Sequence, residues 1–120
     1  MIKFIKGRIK GVGYAFKGAY LLITTEASVK AQFFIGVLVT IAGFYFEISK
    51  TEWMIQSLTI GLIMSLEGLN TAVEEIADFI HPEHHKKIGL IKDVAAGAVF
   101  IFAIAAIIIG CFIYIPKFTQ

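Results

Sequence analysis

Cysteine, proline and charge are all scarce in this 120-residue chain. The one cysteine, Cys111, excludes a disulfide within the chain and a cysteine-based zinc site, and its place in an apolar run makes it a filler there. Charged residues are 17% of the sequence against 58% hydrophobic, with a mean hydropathy of +0.80. Soluble domains are about one quarter charged, so an integral membrane protein comes first. No repeat, linker or low-complexity tract divides the chain, which reads as one domain over 1–120. Nucleic-acid recognition motifs are absent, and a net charge of +2, concentrated near the N-terminus, suits anionic lipid headgroups better than a nucleic acid. Gly7, Gly11 and Gly13 follow no strand and lack the GxxxxGK[ST] pattern, so they form no phosphate loop.

What is present is apolar length. Charge-free runs extend over 31–46, 53–66 and 94–116, and a helix needs roughly 20 mainly apolar residues to cross a bilayer. The third run suffices by itself. The first borrows residues from Ala27 onward, with Lys30 snorkelling toward the headgroups. The second must borrow from its acidic end, EGLNTAVEEIAD. The expectation is therefore all-α: spans near 28–47, 52–80 and 88–116, preceded by an amphipathic surface helix over about 1–20. That leading stretch interleaves Lys3, Lys6, Arg8, Lys10 and Lys17 with apolar side chains and has no signal-peptide core or cleavage site. Lysine and arginine cluster before the first span and in the second loop, so both should face the cytoplasm of a multi-pass inner-membrane protein. Tyr45, Phe46, Trp53 and Tyr114 then form an aromatic belt on the far side.

The acidic stretch is costly at a membrane and thereby informative. At about 100° per residue, Glu67, Asn70, Glu74 and Asp78 fall within an arc of about 80° on one helix, and Glu75 stands to one side. Glu26 before the first span and Lys92–Asp93 at the start of the third belong to the same membrane face. Counting from Trp53, Glu67 lies ~21 Å into the membrane and Glu74 ~10 Å further on. A lipid would meet Glu67 first, and a water-soluble substrate Glu74.

Carboxylates beside a lysine are the means of holding a magnesium–nucleotide phosphate, for which Glu26 and Glu74 suffice, with Lys92 neutralising the phosphates. Glu67, in less polar surroundings, suits a general base for a lipid hydroxyl, and Asn70 can orient Glu67 or the phosphoryl oxygens. Together these are the parts of phosphoryl transfer. The histidines of HPEHHKK lack the convergent, fixed ligands zinc requires and read as a solvated loop in which His84 or His85 can touch nucleotide.

Residues Glu67 to Asp78 resemble the signature of the prokaryotic diacylglycerol kinase family, E-x-x-N-[ST]-A-[IV]-E-x-x-x-D. Lys92-Asp93-Val94-Ala95-Ala96-Gly97-Ala98-Val99 resembles its second block, and Tyr14-Ala15-Phe16-Lys17-Gly18 with Glu26 follows its order and spacing. The resemblance implies a homotrimer of small membrane kinases that pass the ATP γ-phosphate to a lipid alcohol. It implies Glu67 as base, Glu26 and Glu74 as magnesium ligands, and Tyr14, Glu83, His84, His85, Lys92 and Asp93 as ATP contacts. The lipid is then expected near Glu67 and Ala96. Ala-Ala-Gly-Ala-Val and the Ile115-Pro116-Lys117 ending look more like the undecaprenol branch than the diacylglycerol branch. The segment Glu26 to Gln32 departs from both, with Lys30 where arginine is usual and Gln32 where an acid or histidine stands.

The alternative from another class is a small proton-coupled exporter, which would also be short, apolar and dependent on a membrane carboxylate. A relay acid belongs near mid-bilayer among apolar residues, whereas these acids gather at one face with Asn70, Lys92 and Asp93.

Overall fold

The computed structural model describes residues 1–119, and among them there are four helices and no strand: α1 (Ile2–Thr25), α2 (Ala27–Tyr45), α3 (Lys50–Ile80) and α4 (Lys86–Phe118). The bounds of α2, α3 and α4 lie within two residues of the intervals expected for the spans, and α1 runs five residues further than expected. α2 and α4 are long and apolar enough to cross a membrane. Their apolar stretches are mostly unburied, unlike the core helix of a soluble protein. Apart from Glu52 in its first turn, α3 carries its acids in its second half, from Glu67 onward.

Local chemistry sets each boundary. One extended residue, Glu26 (φ −91°, ψ 118°), separates α1 from α2. Just before it, the Thr24 and Thr25 hydroxyls donate to the carbonyls of Tyr20 and Leu21 at 2.7 and 2.5 Å, a back-bonding that bends helices. α2 ends in a Schellman turn: Ile48 N–H donates to the Gly43 carbonyl and Glu47 N–H to that of Phe44. Glu47 occupies the left-handed position, φ 52°, usually held by glycine. Ser49 then starts α3 with a capping box completed by Glu52. α3 ends before Pro82, and the His85 ring accepts from Lys87 N–H to cap α4.

The bundle packs on seams of period seven. Val29, Gly36 and Gly43 are the buried residues of α2, while Gln56, Asn70 and Ala77 are those of α3, with Ile63 at the intervening position. Val99 and Ile113 continue the pattern on α4. Such a repeat keeps one stripe of each helix against its neighbours. Small residues on it allow close approach: a Cβ at Gly43 would lie 2.7 Å from Cη2 of Trp53, and one at Gly36 3.2 Å from Ile60. Inside the seam, the Tyr114 hydroxyl from α4 lies 2.5 Å from Oε1 of Gln56 and 3.1 Å from the Val39 carbonyl. The Tyr114 hydroxyl thus turns inward to join three helices, although its ring still stands 6.0 Å from that of Phe46 in the aromatic cluster.

α3 packs most extensively on α4, α2 on α3, and α1 on α2. No residue of α1 is buried. Extents of 54 × 47 × 22 Å are those of a slender bundle with α1 as a projecting arm.

Candidate active site

The seam explains how the acidic stripe is presented. Asn70 occupies a seam position and is 9% exposed, while Glu67 and Glu74, about one turn to either side, are half-buried at its edge. Asp78 is exposed near the helix end, as is Glu75 to one side. Within the stripe Asn70 is therefore the most buried and Asp78 the most exposed, with Glu67 and Glu74 between them.

Asn70 donates from Nδ2 to Oε1 of Glu74 at 3.1 Å. The amide is thus committed to Glu74 and not to Glu67, the partner considered for it from spacing. Its carbonyl oxygen Oδ1 is buried and has no hydrogen-bond partner, which is uncommon for a native side chain. Glu67 accepts at its backbone carbonyl from the Thr71 hydroxyl, 3.1 Å away.

Glu26 lies at the elbow between α1 and α2, one turn from the residue of α1 that touches α3. Leu22, whose carbonyl accepts from Glu26 N–H, packs against Gly68, where a Cβ would lie 2.9 Å from its Cδ1. α1 therefore meets α3 at the residue following Glu67. The contact carried no sequence signal beyond the glycine itself.

Lys92 on α4 pairs with Asp78 on α3 at 2.5 Å. Both residues stood out in the sequence, but their pairing across the loop did not. Asp93 is exposed and shares an open hollow with His84, His85, Lys86 and Lys87. Glu83 is in the connecting loop, where its carbonyl lies 2.8 Å from Nδ1 of His81. Tyr14 and Ala96 are exposed on α1 and α4.

Among the described residues, no three histidine, cysteine or acidic side chains converge to hold a metal. Magnesium does not require such a cage, since it is held by one or two carboxylates together with substrate phosphates. An orphaned amide oxygen beside an oriented carboxylate is an all-oxygen donor set of the kind that hard cation takes, so these residues fit it.

The model of the family described as prokaryotic diacylglycerol kinase matches residues 13–114. The chain belongs to that family. It is a lipid kinase, a membrane enzyme whose family implies a nucleotide phosphoryl donor. It is 42% identical to the undecaprenol kinase of Bacillus subtilis over 108 residues, 90% of this chain and 88% of that one. It is 35% identical to a diacylglycerol kinase of Synechocystis over 86% of this chain and 59% of the relative. With the diacylglycerol kinase of Escherichia coli K12 the identity is 29%, over 86% and 84% of the two chains. Membership in a kinase family sets aside the exporter reading.

Proposed function

We propose that this lipid kinase transfers the γ-phosphate of magnesium–ATP to the hydroxyl of a membrane lipid alcohol, with undecaprenol favoured over diacylglycerol. It would work as a homotrimer in the inner membrane, with three spans formed by α2, α3 and α4, α1 lying at the surface, and the site facing the cytoplasm. The observation that carries the reading is the seating of Leu22 on Gly68. It joins the elbow bearing Glu26 to the helix bearing Glu67, Asn70 and Glu74.

In this mechanism Glu67 takes the proton of the lipid hydroxyl. The hydroxyl oxygen bonds to the γ-phosphorus as the bond to the β–γ bridging oxygen breaks, releasing ADP. Glu26 and Glu74 would hold magnesium, which supplies charge neutralisation to the phosphate oxygens. Asn70 fixes the carboxylate of Glu74 in one orientation. Lys92, held by Asp78, offers its charge to the nucleotide together with Tyr14, Glu83, His84, His85 and Asp93. Ala96, with no bulk beyond its methyl, leaves room for the lipid beside Glu67.

The exposed apolar faces of α2 and α4, with Phe34, Ile35, Phe100 and Ile101 outward, support a lipid environment and neighbouring protomers, because soluble monomers rarely leave such surface in water. Undecaprenol is favoured by the 42% identity to an undecaprenol kinase and by the Ala95–Val99 block. The test is phosphate transfer from magnesium–ATP by the purified chain to undecaprenol and diacylglycerol, supplied separately in one detergent, with Glu67→Gln as control. A preference names the acceptor, and no transfer to either lipid overturns the proposal.

A further inference from the structure

The arm α1 contains no acidic residue in its 24 positions. At about 100° per residue, Lys3, Lys6, Lys10 and Lys17 fall within about 60° of one another around its axis, and Arg8 lies on the other side of the helix. Four large apolar residues, Ile5, Ile9, Val12 and Phe16, occupy a separate arc centred about 120° from the lysines, with Phe4 and Tyr14 outside it. All four lysines are exposed, and none is in an ion pair among the described residues. Three of them, with Ile2 and Gly7, surround an open hollow, where a side chain at Gly7 would find nothing within 4 Å.

A helix lying in the interface with its apolar arc in the acyl boundary turns this stripe along the headgroups. Four unpaired ammonium groups in a row are complementary to a surface bearing phosphates without compensating cations, and not to a zwitterionic one. We propose that the Lys3–Lys6–Lys10–Lys17 stripe docks α1 on the headgroups of anionic phospholipids, the Gly7 hollow admitting a phosphate among Lys3, Lys6 and Lys10. The proposal rests on the interfacial position of α1 given above. Because only Glu26 separates α1 from α2, docking also holds the elbow in place.

The test uses the full chain with Cys111→Ala and Ile9→Cys, labelled at residue 9 with a nitrobenzoxadiazole dye and reconstituted in mixed phosphatidylglycerol and phosphatidylcholine vesicles. Nitroxide-bearing phosphatidylglycerol should quench the dye about twofold more than nitroxide-bearing phosphatidylcholine at the same fraction. Raising salt toward 1 M, where charges are screened beyond about 3 Å, should equalise the two. Replacing all four lysines by glutamine should also equalise them, whereas Arg8→Gln should preserve the difference. Equal quenching in the unsubstituted stripe overturns the proposal, as does a preference that survives the fourfold replacement. Absence of quenching by either lipid overturns it together with the interfacial position of α1, an outcome distinguishable from kinase failure because phosphate transfer is measured separately.

Discussion

Asn70 holds Glu74 through a 3.1 Å hydrogen bond across one turn of α3, and in doing so leaves its own carbonyl oxygen buried without a partner. A side chain in this position serves a neighbouring carboxylate on one side and offers an acceptor or ligand on the other. Asn70→Leu keeps the bulk on the seam and removes both functions. It should lower apparent magnesium affinity about 10- to 100-fold, as loss of an outer-shell partner does elsewhere, with helicity unchanged. Magnesium titration of the transfer rate and circular dichroism check the two halves of this expectation.

Glu67 and Glu74 should separate by role. Glu67→Gln is expected to reduce transfer by about 10²- to 10⁴-fold, the range for a positioned general base, while magnesium–ATP binding stays near that of the parent. Glu74→Gln should weaken binding and transfer together. Equilibrium nucleotide binding beside single-turnover transfer distinguishes them, and equal, full activity in both variants would show that the site lies elsewhere.

The Asp78–Lys92 pair joins α3 to α4 where both side chains are substantially exposed, so little folding stability is expected from it. Lys92→Met should depress transfer with a thermal midpoint close to that of the parent. The charge swap Asp78→Lys with Lys92→Asp should restore the ion pair but not the activity, because the cation would then stand on the wrong helix. Recovery of activity in the swap would assign the pair a purely structural role.

At the far end of the bundle, the Tyr114 hydroxyl and the buried Gln56 amide are remote in sequence from the acidic stripe. Tyr114→Phe removes the hydroxyl and leaves Oε1 of Gln56 without its donor. The expected cost is about 1 kcal/mol, as for a net hydrogen bond between membrane helices, with transfer at saturating substrate retained. Unfolding in a denaturing-detergent titration, alongside the kinase assay, measures both.

Glu47 is a non-glycine residue held at φ 52° in the Schellman turn. Glu47→Gly should stabilise the chain by about 1 kcal/mol by relieving left-handed backbone strain, measured in the same detergent titration. A loss of stability would mean that the glutamate side chain offsets its backbone cost.

Much of the fold and part of the site were legible because they depend on periodicity along one helix. Apolar runs marked the long helices, and acids at spacings of three and four marked one face of α3. The buried positions 29, 36 and 43 on α2, and 56, 70 and 77 on α3, follow a period that the sequence also contains. The sequence does not single that period out, because the large apolar residues surrounding each seam are as hydrophobic as the seam itself. A chain whose lipid-facing and packed surfaces are both apolar conceals which face is inside.

The class of protein, the approximate extent of its helices and the alignment of Glu67, Asn70, Glu74 and Asp78 were determined by sequence alone, the first by composition and the others by the fixed rise and rotation of a helix. Tertiary structure decided the pairings: Asn70 with Glu74 and not Glu67, Asp78 with Lys92, Tyr114 with Gln56, and Leu22 on Gly68. Most of these depend on the rotation and register of one helix against another. Those are set by small residues that let backbones approach and by polar atoms that must find partners once water is excluded.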